Sequence, residues 1–296
     1  MTSIFLTNAV TRVEISPQLG GAILAYDAKL HNQFFPILRD SHKAKSVLES
    51  SCFPLVPYSN RIKHGQFNWQ EKSITLPLNH LPEKHSIHGH GWQRPWKVTH
   101  QTDNSLTLQY HYQTAEWPFS YSAQQVFTLK DKSLNIVLSL INTSNSKMPA
   151  GLGLHPYFSL TNETSFKCSV DQMWAVDDES MPTKLVDVPK AMLSSKGLSI
   201  LESNLDNVFT GFTGVANVTW PEWQAKANIS TSSNCKFMVI YSPEGEDYFC
   251  FEPVTHCTDA INRSGKGVKN TGVMSLNPQE KMTISMRISP EELSKP

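Results

Sequence analysis

The sequence predicts an all-β protein, a large antiparallel β-sandwich with few and short helices, and three observations predict it. Apolar and polar residues alternate with a period near two in many separate segments. Turn-forming clusters punctuate those segments at short intervals. Amphipathic helical patterning is scarce, so the strands have to bury their faces on one another.

In chain order, Ala9-Val-Thr-Arg-Val-Glu-Ile15 is the first clear alternating run, closed by Pro17-Gln-Leu-Gly-Gly21. Asp40-Ser-His-Lys-Ala-Lys45 reads as one of two short helix candidates. Ser105–Tyr112 and Ser133–Ile141 are alternating strands bounded by Asp103-Asn104 and by Asn142-Thr-Ser-Asn-Ser146. Pro243-Glu-Gly245 marks a later turn, and Lys281–Ile288 is the last strand, followed by the second helix candidate, Pro290-Glu-Glu-Leu293. There is no fixed-length repeat, low-complexity tract or long linker, so residues 1–296 read as one domain.

Composition narrows the function classes. Twenty-six Lys and Arg balance 26 Asp and Glu, so no basic field exists to attract nucleic acid or an anionic membrane. The N-terminus has neither a basic start nor a sustained apolar run, and no segment has transmembrane length. Five cysteines without Cys-x-x-Cys spacing argue against a disulfide framework or a thiolate zinc site. The expectation is a cytoplasmic protein with reduced thiols, monomeric or homodimeric.

Two segments carry a proton-transfer residue immediately before a proline: Gly153-Leu-His155-Pro-Tyr-Phe158 and Phe251-Glu252-Pro-Val254. Proline disfavours the α region for its predecessor, so both residues should lie in extended backbone. A histidine with a carboxylate is the usual makeup of an acid/base pair. Strand parity puts Glu252 on one face with Tyr248 and Cys250, and turns Phe249 and Phe251 to the other, toward a core.

A third region is Asn60-Arg61-Ile-Lys-His-Gly65 with His85-Ser-Ile-His88-Gly-His90-Gly-Trp92. Adjacent strand residues point to opposite faces, so Asn60 and Arg61 share a site only across a bend or bulge. Arginine offers a fork of donors suited to vicinal hydroxyls or a carboxylate. His88-x-His90 on a strand would aim both rings to one face, as some metal sites begin, but the spacing supplies no obvious further histidine and carboxylate. No metal or cofactor is expected. Trp92, Trp96 and Arg94 add flat apolar faces and a cation beside this loop.

Taken in order, Asn60-Arg61-Ile-x-x-Gly, Ile87-His88-Gly, Gly153-Leu-His155-Pro-Tyr-Phe and Glu252-Pro-x-Thr resemble the aldose 1-epimerase (galactose mutarotase) family, from about residue 13 to 288. The resemblance implies that family's large β-sandwich, with a sugar site in a groove on one sheet. It implies a small-molecule sugar substrate, Glu252 as catalytic base, His155 as acid, and Asn60, Arg61 and His88 as substrate-holding groups. Asp206, in Asn204-Leu-Asp-Asn-Val-Phe209, matches the family's hydroxyl-binding aspartate, and His90, Trp92 and Arg94 become further contact candidates. The reference pKa values, about 4.3 for Glu and about 6.5 for His, suit an ionised base and a protonated acid near neutrality. The loop Gly89–Trp96 is more basic and aromatic than in the galactose enzymes, which leaves the sugar open. A hexose 6-phosphate substrate would use a cationic cluster of Arg61, Lys63, Arg94 and Lys97. A non-catalytic carbohydrate-binding protein on the same scaffold is the other alternative.

Overall fold

A computed structural model describes residues 3–113 and 116–293. Two antiparallel sheets face each other. The eleven-stranded sheet runs Ile4–Asn8, Thr11–Ser16, Ala22–Leu30, Gln33–Leu38, Gly153–Ser159, Tyr248–Val254, Phe237–Tyr241, Asp206–Thr210, Gln172–Val176, Pro182–Asp187, with Cys52–Leu55 joined to Gly153–Ser159 and Ala22–Leu30. The nine-stranded sheet runs Lys97–Gln101, Ser105–Tyr112, Tyr121–Lys130, Ser133–Asn142, Lys281–Glu292, Ala225–Thr231, Val215–Trp220, Ser165–Cys168, Leu198–Ser199. Among the described residues, no helix is long and apolar enough to cross a membrane.

The two sheets read differently in sequence for a physical reason. Tyr121–Lys130 and Lys281–Glu292 alternate buried with less buried residues because one face packs on the opposite sheet and the other meets water. Gly153–Ser159 is buried at every position, because the eleven-stranded sheet carries apolar groups on both faces. Phe158, Phe249 and Phe251 enter the inter-sheet core, where Phe251 meets Phe166 of the other sheet with ring centroids 5.0 Å apart. On the opposite face Cys250 and Val254 join a second apolar cluster with Phe53, Trp92 and Tyr157. The cavity lies over that second cluster.

Neither short helix candidate forms. Residues 40–45 make a turn, with the Ala44 N–H donating to the Ser41 carbonyl at 2.9 Å. Pro290–Glu292 extend the last strand, with Ala227 opposite Pro290 and Ala225 opposite Glu292. Ladder pairing outweighs a local preference too short to propagate as a helix. Pro290 is tolerated because pairing with Ser133–Asn142 ends at Ile288, leaving one side of the strand open. The single α-helix among the described residues is Ala260–Gly265, which no sequence pattern had marked. All five cysteines are free thiols.

Candidate functional site

His155 and Glu252 come from neighbouring strands in one register. Gly153 pairs with Val254 and Tyr157 with Cys250, so His155 stands directly opposite Glu252. Their side chains meet in the cavity, His155 Nε2 lying 3.3 Å from Glu252 Oε1. The strand on the far side of His155 contributes Phe53, in register with it. Rigid positioning follows from three hydrogen-bonded strands.

Asn60, Arg61 and His88 arrive by a different device. A two-stranded ladder joins Arg61–Ile62 to Ser86–Ile87, which brings together segments some two dozen residues apart in sequence. Asn60 adopts a left-handed backbone, φ 57°, and this is the bend that lets Asn60 and Arg61 both line one cavity. Gly89 must be glycine: with φ 69°, a Cβ there would lie 2.3 Å from the Val56 carbonyl oxygen. The Asn79 side chain braces the loop, accepting from the Ile87 N–H at 2.8 Å and donating to the Ile87 and Gly89 carbonyls.

The cavity of about 620 Å³ is lined by Asn60, Arg61, His88, Trp92, His155, Asp206 and Glu252 among others. Arg61 is clamped: its Nε donates to Glu83 Oε2 at 2.9 Å, and one terminal nitrogen lies 3.7 Å from Asp206 Oδ2. Asp206 in turn accepts from the Ser180 hydroxyl at 2.8 Å. Trp92 is 1% exposed and donates to the Gly89 carbonyl, so it forms a wall edge rather than an open stacking platform.

His90 and Arg94 do not join the lining. The expectation that His88 and His90 share a face assumed a strand, but Ser86–Ile87 ends before them and His90 turns into right-handed helical backbone. His88 packs edge-on to Trp92 and His155, whereas His90 stacks on Tyr112 with centroids 4.5 Å apart. Arg94 is exposed, and Lys63 lines a separate groove. Several cavity residues carried no local sequence signal. Glu83, Lys84, Glu179, Ser180 and Tyr241 line it because distant loops and strands converge there, whereas Tyr248 lines it on the face that strand parity assigns to Glu252.

Burial overturns the charge states that reference pKa values suggest. It pushes Glu252 well above the usual carboxylate range; Asp206 raises it further and the Arg61 guanidinium partly offsets this. Burial, reinforced by the Arg39 guanidinium, pushes His155 down to about 3. Both shifts favour the uncharged forms, so the site holds one transferable proton between a neutral imidazole and a carboxylic acid. The Asn60 N–H donates to His88 Nδ1 at 3.0 Å, which leaves His88 Nε2 to carry the proton of the neutral ring. Burial also holds His88 well below its ordinary value. His88 therefore presents a hydrogen-bond donor without charge.

These neutral histidines make stability depend on pH. His256 is fixed likewise, Nε2 accepting from the Ser59 N–H at 3.1 Å and Nδ1 bonding the Cys257 carbonyl. Protonating His88 or His256 would set donor against donor. Burial lowers His88, His155 and His256, as well as His90 to about 4. A depressed folded pKa gives stability that is present above the unfolded value of about 6.5 and is lost as pH falls toward the folded one. Each histidine contributes at most about 1.4 kcal/mol per pH unit in that window. The urea midpoint should therefore drop steeply between about pH 7 and pH 5. An unchanged midpoint would show that these rings are not held neutral.

The model of the aldose 1-epimerase family matches residues 2–289. YphB of Escherichia coli K12, an uncharacterized protein, is 27% identical over 301 residues, covering 99% of this chain and 100% of its own. A candidate aldose 1-epimerase of Escherichia coli K12 has a crystal structure similar to this one with TM-score 0.89, at 26% identity and with 99% of both chains covered. A galactose mutarotase-like protein of Clostridium acetobutylicum shares the fold with TM-score 0.85 at 20% identity, over 98% of this chain and 95% of its own. On a family match of that extent, the chain belongs to the aldose 1-epimerase family.

Proposed function

We propose that the protein is a mutarotase that interconverts the α and β anomers of a free aldohexose, with Glu252 and His155 as the catalytic pair. The observation that carries the reading is the buried cross-strand contact of 3.3 Å between His155 Nε2 and Glu252 Oε1. In the ring-opening direction Glu252 takes the proton of the C1 hydroxyl as the C1=O bond forms. The bond from C1 to the ring oxygen breaks, and that oxygen takes a proton from His155. Rotation about C1–C2 presents the other carbonyl face, and reclosure reverses both transfers.

The single shared proton fits this cycle. Before ring opening the pair is carboxylate and imidazolium; afterwards it is carboxylic acid and imidazole. The proton count is the same, and burial favours the second form, so the pair alternates without exchanging protons with solvent. Arg61, His88, Asn60 and Asp206 hold the ring hydroxyls and fix the geometry. No step calls for a cofactor.

The charge of the lining supports an unphosphorylated sugar. Apart from Glu252, the acidic residues Glu83, Asp178, Glu179 and Asp206 line the cavity, against Arg61 and Lys84. Arg61 is already paired with Glu83, and Lys84 with Glu179 at 2.6 Å. Lys63 and Arg94, invoked for a phosphate cluster, lie elsewhere, so a dianionic substrate would meet an acidic wall. The non-catalytic alternative is disfavoured because both proton-transfer positions are filled. Polarimetry on freshly dissolved pure anomers of several aldohexoses, alongside glucose 6-phosphate, tests the reading. Accelerated, saturable mutarotation of at least one free sugar is expected. Acceleration confined to the phosphorylated sugar would reverse the substrate assignment.

Chelation is expected to leave the rate unchanged, since the His88 and His90 rings diverge. Activity lost in EDTA and restored by zinc or manganese would overturn that expectation.

A further inference from the structure

His155 is fixed in an unusual way for a histidine that moves protons. Its Nδ1 is buried and makes no well-formed hydrogen bond that would orient the ring from behind. Aromatic contacts do so instead. The imidazole lies 4.5 Å from the Phe53 ring at 29° and 4.7 Å from the Tyr157 ring at 18°, while Phe53 and Tyr157 are themselves 6.0 Å apart. The three rings form one closed cluster.

Behind Tyr157 stands Arg39. Its Cζ lies 3.7 Å from the Tyr157 centroid and 4.4 Å from that of Tyr248. The guanidinium is anchored on backbone, Nε donating to the Ser50 carbonyl at 2.9 Å and one terminal nitrogen to the carbonyls of Ser50 and Leu48. The Arg39 N–H also donates to the Tyr157 carbonyl at 2.9 Å. Among the described residues no carboxylate pairs with Arg39, so its charge is left uncompensated beside the cavity wall. Arg39 does not line the cavity.

We propose that Arg39, acting through the Tyr157 ring, is a positioning residue for His155: it seats the imidazole opposite Glu252 and keeps it uncharged between turnovers. The inference rests on the mutarotase reading above. A fixed positive charge behind the ring makes imidazolium a stronger acid. Other groups facing His155 do not supply that field. Glu252 opposes it, His88 is neutral, and the Cys52, Cys250 and Tyr157 protons are held firmly by burial. Arg61 and Asp206 act on Glu252 with opposite sign.

The test is steady-state anomer exchange by wild type, Arg39→Met and Arg39→Lys, with thermal melts to confirm folding. Arg39→Met is expected to lower kcat roughly three- to tenfold, because without the cation on the Tyr157 ring the imidazole is less firmly seated for proton transfer. KM should stay unchanged, because Arg39 does not touch the sugar. The solvent deuterium effect on kcat should increase as the proton step slows. Arg39→Lys keeps the charge and should restore most of kcat. If Arg39→Met fails to fold, Arg39→Gln supplies the uncharged variant. Wild-type kcat in the uncharged variant overturns the inference, as does an equal loss in Lys and Met variants or a change confined to KM. Absence of exchange in wild type removes the mutarotase reading and this inference together, which distinguishes the two failures.

Discussion

Glu252→Gln is expected to lower kcat for anomer exchange by roughly 10²–10⁴-fold while sugar binding persists. The amide keeps the shape of the carboxyl group and its place opposite His155, but cannot take the C1 proton. A rise in thermal stability at alkaline pH should accompany the loss. The folded pKa of Glu252 is raised by burial, so its contribution is favourable below the unfolded value and is lost as pH rises through the folded one. Glutamine removes that penalty. Near wild-type saturable mutarotation in Glu252→Gln would exclude the residue from the chemistry, and an unchanged or lower melting point at alkaline pH would contradict the buried, uncharged state.

Much of this site was legible before any coordinates. His155 and Glu252 each precede proline in an apolar segment, and extended backbone followed from that alone. The alternation in Tyr248–Val254 also assigned faces correctly, with Phe249 and Phe251 in the inter-sheet core and Cys250 on the cavity side. The bend required at Asn60 exists as a left-handed residue. The protonation states were not legible, because reference pKa values describe exposed groups and burial here depends on strands from both halves of the chain. Glu83 gave no signal, since its pairing with Arg61 depends on a loop that lines the cavity. His90 and Arg94 lie off the cavity because the chain after Ile87 leaves its two-residue strand for a turn that stacks His90 on Tyr112 and leaves Arg94 exposed.

The two site histidines should separate kinetically. His88 donates from Nε2 and is assigned to holding the sugar, whereas His155 is assigned to protonating the ring oxygen. Uniform binding contacts alter KM, and contacts needed in the transition state alter kcat. His88→Asn should therefore mainly raise KM, by about tenfold for one lost hydrogen bond. His155→Asn should mainly lower kcat, by roughly 10²–10⁴-fold. In wild type the acid limb should lie well below about pH 6.5, where an ordinary histidine titrates, because His155 is held down to about 3. The alkaline limb should lie above the usual carboxylate range, because it reports loss of the proton the pair shares. His88→Asn abolishing turnover at saturating sugar, with His155→Asn intact, would exchange the two roles. An inflection of wild-type kcat near pH 6.5 would contradict the neutral histidine.

The most direct measurement follows exchange between the α and β anomeric resonances of a free aldohexose at chemical equilibrium, at neutral pH and saturating sugar. Wild type, His155→Asn, Glu252→Gln and the double variant are compared. The expected result is rapid exchange in wild type only, with the double variant no slower than the worse single variant, because the two groups act as one proton-sharing pair. Rapid exchange in the double variant would contradict catalysis by His155 and Glu252.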